Sequence, residues 1–207
     1  MKRQLLLEQL FQRIQPTIFK NLTIAVDGID AAGKTIFADS LAEFLLSRTE
    51  KDVVRATVDS WINPPGIRYA AGRESAEGYY RNSFDLPAVK RYVEEQIEQD
   101  PGNRLLVFDG VFAFTHELNA LWDYRILLAI PFELSIQRGL ARDTGKGIPE
   151  PALCRLYERR YIGGQKLYLS EVRPETLADV IVDNRVPGNP NLIDSGQYLK
   201  MMLGDIK

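Results

Sequence analysis

Residues 22–45 read LTIAVDGIDAAGKTIFADSLAEFL, and the chain changes character twice within them. The apolar run from Leu22 to Val26 reads as a buried strand and stops at Asp27-Gly28. From Lys34 the residues Ile36, Phe37, Leu41, Phe44 and Leu45 fall on one side of a helix. The connection, Gly28, Ile29, Asp30, Ala31, Ala32, Gly33, Lys34 and Thr35, fits G-x-x-x-x-G-K-[ST]. Each part of that spacing has a physical purpose. Gly28 permits a sharp exit from the strand, and the small residues let backbone N–H groups converge on phosphate oxygens. The new helix adds the positive end of its dipole. Lys34 can reach β- and γ-phosphates, the Thr35 hydroxyl can ligate Mg²⁺, and Ile36 closes the set expected at the nucleotide.

Outward from this stretch the same alternation continues. Residues 52–59, 104–110, 124–130 and 178–184 read as further strands. Residues 86–99, 133–143 and 149–161 read as helices, with Pro87 tolerated in a first turn. Strands rich in Val, Ile and Leu on both faces, separated by helices, predict an α/β fold with a parallel sheet covered on both sides. Residues 61–84 fit neither pattern, being rich in Gly, Pro, Arg, Tyr and Ser. No repeat or long linker divides the chain, so residues 1–207 are expected to form one domain with a lid at about 138–150.

Composition narrows the function. The 207 residues are 45% hydrophobic, with 28 acidic against 26 basic side chains and a formal net charge of -2. That balance gives no reason to expect nucleic-acid or membrane binding. No apolar run approaches the roughly 20 residues of a membrane span. The first 20 residues place Leu5, Leu6, Leu10 and Ile14 on one helical face, with charges that break a signal-peptide core. The lone cysteine, Cys154, forms no internal disulfide and fits a buried helix position; a reducing cytoplasm is expected.

Asp27, Asp59 and Asp109 end strands at the edge where α/β sheets bind ligands. Asp59 and Asp109 suit general-base work and Mg²⁺ placement, whereas Asp27, beside the cradle, reads as structural. Arg138 and Arg142 in RGLARDTGKG suit a closing lid that stabilises a transferring phosphoryl group, with Gly145 and Gly147 as hinges. Arg159 and Arg160 are equally balanced between that role and a solvated helix face. The mixture Arg68, Tyr69, Arg73, Glu74, Tyr79 and Tyr80 can grip a polar acceptor, its arginines taking an anionic group. His116 reads as a helix-start residue.

IAVDGIDAAGKT, VDSW, SFDLPAV, VFDGVFAF, RGLARD and RPETLADVIVDN occur in the order found in the uridine kinase-like family of P-loop kinases, which the chain resembles from about residue 22 to 184. The resemblance implies a five-stranded parallel sheet with flanking helices and a lid. It also implies Mg²⁺- and ATP-dependent transfer of the γ-phosphate to a small-molecule hydroxyl. It puts the acceptor-activating acid on Asp59, an acceptor-lining element on Phe84, Asp85, Leu86 and Pro87, and lid arginines on Arg138 and Arg142. An adenine-contacting loop is implied near residues 184–190, and the metal falls to Thr35 and Asp109. The chain departs from the family at Ile36, which replaces a hydroxyl residue, at Asp109, which replaces Glu, and in a less basic lid where Lys146 is the substitute.

A nucleoside-like acceptor is expected first, then a pantothenate-like or other polar metabolite, with Arg68, Tyr80, Phe84 and Asp85 among its contacts. A homodimer is left open. Two rival readings are a nucleoside monophosphate kinase and a P-loop NTPase switch without an acceptor. The first would follow its second strand with Arg-Glu-Pro, where this chain has DSWINPPG.

Overall fold

The computed structural model describes residues 2–18, 20–99 and 102–203. Strand β1, Leu22–Gly28, is buried at all seven positions, as a strand covered on both faces must be. It pairs in parallel with β3, Arg104–Asp109, on one side and β4, Tyr124–Ala129, on the other. Strand β2, Asp52–Thr57, and strand β5, Val180–Asp183, extend the sheet in parallel to either side. The order is β2-β3-β1-β4-β5-β6, so the sheet reverses direction of growth at β1. That crevice, at the carboxyl ends of β1 and β3, is where such sheets bind ligands.

The sheet has six strands rather than five. Strand β6, Asn191–Ile193, is three residues long and runs antiparallel to β5. It returns directly after β5 without a helix, which only an antiparallel partner permits. The second strand is also shorter than its apolar pattern predicts. It ends at Thr57, and Val58–Trp61 form a 3-10 turn in which the Thr57 hydroxyl accepts from Asp59 N. Asp59 therefore stands on a turn beyond the strand.

Helices cover both faces. In chain order they are α1 (Lys2–Ile14), α2 (Lys34–Leu46), α3 (Pro65–Arg68), α4 (Ala76–Asn82), α5 (Leu86–Glu98), α6 (His116–Asn119), α7 (Phe132–Asp143), α8 (Glu150–Arg155), α9 (Ile162–Val172), α10 (Pro174–Leu177) and α11 (Ser195–Leu203). One core layer joins α1 and α2 to the sheet through Leu10, Phe37, Leu41, Ile24 and Leu128. The other packs Phe108, Phe112, Phe114, Trp122 and Tyr168 against the opposite face. Two residues expected on these helical faces point outward: Leu5 is 60% and Ile36 63% exposed. In α1, Leu7 and Phe11 take the core positions instead, and Ile36 lies at the cleft mouth. Cys154 is half-buried rather than buried.

The helix expected over 149–161 is interrupted. After α8 the chain makes a π-helical turn, Leu156–Tyr161, and then runs directly into α9. The irregular region 61–84 is closed at its base, where Asn63 N donates to Ser83 O at 2.9 Å and Asp85 N to Trp61 O at 2.9 Å. It carries α3 and α4 and packs on α9 and the π-turn. Among the described residues, no helix is long and apolar enough to cross a membrane.

At Gly28 the backbone has φ +151°, and a Cβ there would meet the Leu128 carbonyl oxygen at 2.6 Å. Gly28→Ala is therefore expected to lose about 2–5 kcal/mol of stability in urea unfolding, from backbone strain and overpacking together. Gly66→Ala, where a Cβ meets nothing within 4 Å, should stay within about 0.5 kcal/mol of the parent. Equal effects at the two glycines would contradict the close approach of β1 to β4.

Candidate active site

The loop between β1 and α2 is held in shape by its surroundings. Gly33, at φ +90°, caps α2, and a Cβ there would sit 2.8 Å from Asn184 Nδ2. That amide instead donates to Ala32 O at 2.7 Å. Ser135 Oγ donates to Asp30 O at 2.7 Å, and Arg138 reaches Ala31 O at 3.4 Å and Arg185 O at 2.7 Å. Elements α7 and the chain after β5 thus brace the loop from outside. Lys34 Nζ, at the first turn of α2, donates to Ile29 O at 2.9 Å across the loop. The result is a cleft of about 390 Å³ lined by Asp30, Ala31, Gly33, Lys34, Thr35, Ile36, Asp59, Asp109, Arg138 and Arg142, among others. Backbone amides at a helix start, one ammonium and two guanidiniums give this cleft a wall suited to anions.

A divalent cation has a suitable place in this cleft. Thr35 Oγ1 donates to Asp109 Oδ2 at 2.8 Å, which puts a hydroxyl and a carboxylate side by side. Mg²⁺ in phosphate sites needs only one or two protein oxygens, the rest being water and phosphate, so the donor set fits. Among the described residues there is no cluster of three or more His, Cys, Asp or Glu that could hold a metal alone. Asp109 is 1% exposed, and its other oxygen is bound by Arg55 Nη2 at 2.7 Å. Arg55 on β2 was not anticipated from the sequence. Its only signal there is an arginine in an otherwise apolar strand, one register position from Phe108.

Asp59 lies where two cavities meet. Among the described residues its carboxylate has no hydrogen-bond or ion-pair partner, and it lines both the first cleft and a second cavity of about 240 Å³. Its pKa is raised above the ordinary 3.8, first by lost hydration, with Asp109 and Asp30 adding repulsion while Lys34 and Arg142 oppose. The second cavity takes Arg68, Tyr69, Tyr79, Phe84, Arg142 and Arg160 into its walls. Two other residues expected at an acceptor stand elsewhere. Tyr80 is buried with its ring against Phe112 and Tyr168, and Asp85 caps α5 by accepting from Ala88 N at 3.0 Å. Neither lines the cavity. Lys146 pairs with Asp143 at 3.1 Å, and Gly145 and Gly147 both have positive φ in the turn beyond α7.

Asp27 is wholly buried beneath the cradle. It accepts from Gly28 N at 2.6 Å, from Phe114 N at 3.3 Å and from the Tyr168 hydroxyl. Burial pushes its pKa to about 6 against the pull of those donors and of Lys34. Asp30 is similarly gripped, by Tyr79 Oη at 2.8 Å and Gln165 Nε2 at 2.5 Å. Tyr168 and Gln165 come from α9, more than 130 positions away, and single-sequence reasoning has no signal that pairs them with the loop.

No protein-family model matches the chain, and no curated protein sequence does. Solved structures do. A candidate uridine kinase from Bacillus stearothermophilus superposes with a TM-score of 0.60 at 19% identity, over 84% of this chain and 98% of that one. A candidate fructose transport system kinase from Silicibacter sp. TM1040 gives 0.67 at 15% identity, over 82% and 95%. The YGR205w protein gives 0.60 at 13% identity, over 93% and 95%. The chain shares the fold of these three proteins, an α/β fold built on a mostly parallel sheet with helices on both faces.

Tyr168→Phe removes one donor from a buried carboxylate and is expected to cost about 1–3 kcal/mol at pH 7.5. The folded-state pKa of Asp27 is raised, so the fold binds a proton more readily than the unfolded chain. The penalty should therefore shrink as pH falls through about 6, where the neutral acid no longer needs that donor. Urea unfolding at pH 7.5 and 5 checks it; a penalty independent of pH would contradict the ionised state of Asp27.

Proposed function

We propose that the protein is a kinase that moves the γ-phosphate of ATP to a hydroxyl group of a small metabolite. The observation that carries this reading is the unpartnered Asp59 carboxylate at the junction of the two cavities. A hydroxyl can donate to it, whereas an acceptor phosphate there would meet a like charge at close range. A nucleoside-like compound is the first member of that class to try.

In this reading the cradle amides and Lys34 hold the polyphosphate, and α2 directs its dipole at the same charge. Thr35 and Asp109 would hold Mg²⁺, which supplies charge neutralisation on the phosphate oxygens when bound. The acceptor oxygen attacks the γ-phosphorus, its proton passes to Asp59, and the bond to the bridging oxygen breaks to release ADP. Arg142 answers the charge spread over the equatorial oxygens. Its side chain is 57% exposed and tied to Asp143 and to Tyr157 Oη, so it can swing into the cleft. Arg138, bonded to backbone carbonyls on both sides of the cleft, contributes charge from a braced position.

Three variants test the roles. Lys34→Ala should lower kcat/KM by about 100-fold or more, the scale of losing one charge-stabilising group. Arg142→Ala should lower kcat more than it weakens nucleotide binding, because its contact matures in the transition state. Asp59→Asn should abolish transfer and leave ATP binding nearly intact. In the parent, activity should fall as pH drops through the Asp59 pKa, at a pH above the ordinary carboxylate value, because only the ionised form accepts the proton. Phosphorus NMR of the product decides the reaction type: a phosphate monoester supports the reading, whereas a phosphoanhydride or free phosphate alone overturns it.

A further inference from the structure

The second cavity holds positive charge that the reaction beside it does not use. Arg160 lies in the π-turn and is 2% exposed. Its guanidinium faces the rings of Tyr69 at 4.9 Å and Tyr79 at 5.4 Å. Among the described residues its hydrogen-bond partners are Ser75 O at 3.4 Å, Arg68 O at 3.3 Å and Ser83 Oγ at 3.5 Å. Those distances lie beyond the usual range for such bonds. Among the described residues no carboxylate pairs with it. Arginines with structural roles in this molecule look different. Arg125 donates to Asn119 O at 2.6 Å, and Arg55 to Val107 O at 2.8 Å.

The π-turn explains how Arg160 comes to be inside. Its neighbours Arg155 and Arg159 both pair with Glu74 on the outer surface, at 3.4 and 3.0 Å. The wider turn shifts register within the helix, so Tyr157, Arg160 and Tyr161 all line the cavity. Such single π-turns recur at functional sites. Arg68, at the end of α3, lines the same cavity, and among the described residues its side chain bonds to the Tyr69 hydroxyl alone. Of the acids in the walls, Asp30 is engaged by Tyr79 and Gln165, and Asp59 stands at the boundary with the nucleotide cleft. A buried guanidinium without a counter-charge is destabilising by itself. A planar, five-donor group in a tyrosine-lined pocket matches a carboxylate or phosphate.

We infer that Arg160 and Arg68 form an anion subsite, so that the acceptor is a hydroxyl compound bearing a carboxylate or phosphate group apart from the hydroxyl that is phosphorylated. This rests on the hydroxyl-kinase reading of the same cavity. It narrows the acceptor from uncharged nucleosides and sugars to hydroxy acids or sugar monophosphates. Tyr69 and Tyr79 keep Arg160 in place by stacking, and Asp59 faces the other end of the molecule.

The test is a coupled ATP-consumption assay with three panels: hydroxy acids of three to six carbons, sugar monophosphates, and uncharged nucleosides and sugars. An acceptor from either anionic panel is expected to be best, and the two panels distinguish carboxylate from phosphate. Arg160→Gln should raise KM for that compound about 10- to 100-fold, the loss of a charge-assisted contact, with kcat changed far less. Arg160→Lys should recover part of the loss, and the more exposed Arg68→Gln should show the same pattern without risk to the fold. An uncharged nucleoside or sugar as best acceptor, or an unchanged KM in both Gln variants, overturns the subsite and leaves the kinase reading standing. If no panel is turned over, titration calorimetry of the same compounds onto protein saturated with Mg²⁺ and a non-hydrolysable ATP analogue decides. Binding of an anionic compound that Arg160→Gln abolishes supports the subsite, and no binding overturns both readings.

Discussion

A carboxylate taken out of water at the end of a central strand must find donors, and Asp27 finds three from separate parts of the chain. Gly28 supplies one from the cradle, Phe114 one from the segment after β3, and Tyr168 one from α9. Those bonds fix where the chain leaves β1, and with it the direction in which the cradle amides point. The strand itself has no freedom to adjust, since all seven positions are buried and Gly28 lies against the Leu128 carbonyl. The loop after β1 is thus organised from below by a charge that lies wholly buried beneath it.

Above that base, the arginines divide by what neutralises them. Arg55 lies in the sheet layer and balances the buried Asp109. Arg138 donates to backbone carbonyls of the loop after β1 and of the chain after β5 and so joins the two segments. Arg155 and Arg159 stay outside with Glu74, where ion pairs contribute little to stability. Arg142 and Arg160 remain to face the cavities, one exposed and movable, the other enclosed by rings. Charge of one kind is distributed over bracing, balancing and recognition by local geometry alone.

Much of this was legible in the sequence because it is local. The cradle, the strand before it and the helix after it are written in one continuous stretch, and hydrophobic period reveals the five parallel strands. Strand β6 was not legible: three residues after Pro190 carry too little pattern. Asp59 was read as the last residue of the second strand, but the strand ends at Thr57, and the Thr57-capped turn that carries Asp59 beyond it has no clear signature. Leu5 and Ile36 were assigned to buried faces because apolar type was taken as burial, while their helices turn other residues inward. The tyrosine and glutamine grips on Asp27 and Asp30 span the whole fold, and long-range pairs of this kind leave no periodic trace. The π-turn is the sharpest case. The sequence leaves Arg160, like Arg159, evenly balanced between a catalytic role and a solvated helix face, and the wider turn places Arg160 inside while Arg159 stays out.

Asp30, Asp59, Val111 and Arg142 belong to the walls of both cavities, and Asp30 is at once part of the phosphate loop and the partner of Tyr79 and Gln165. The two chambers therefore share structure, not merely a border. Substitutions at these four positions cannot be sorted cleanly into effects on one chamber or the other, because neighbours with common partners do not add. Thermodynamic linkage sets a further condition. Whatever free energy one occupant contributes to ordering the shared wall, it must lend in equal measure to the other, so the two affinities can only be measured as a pair.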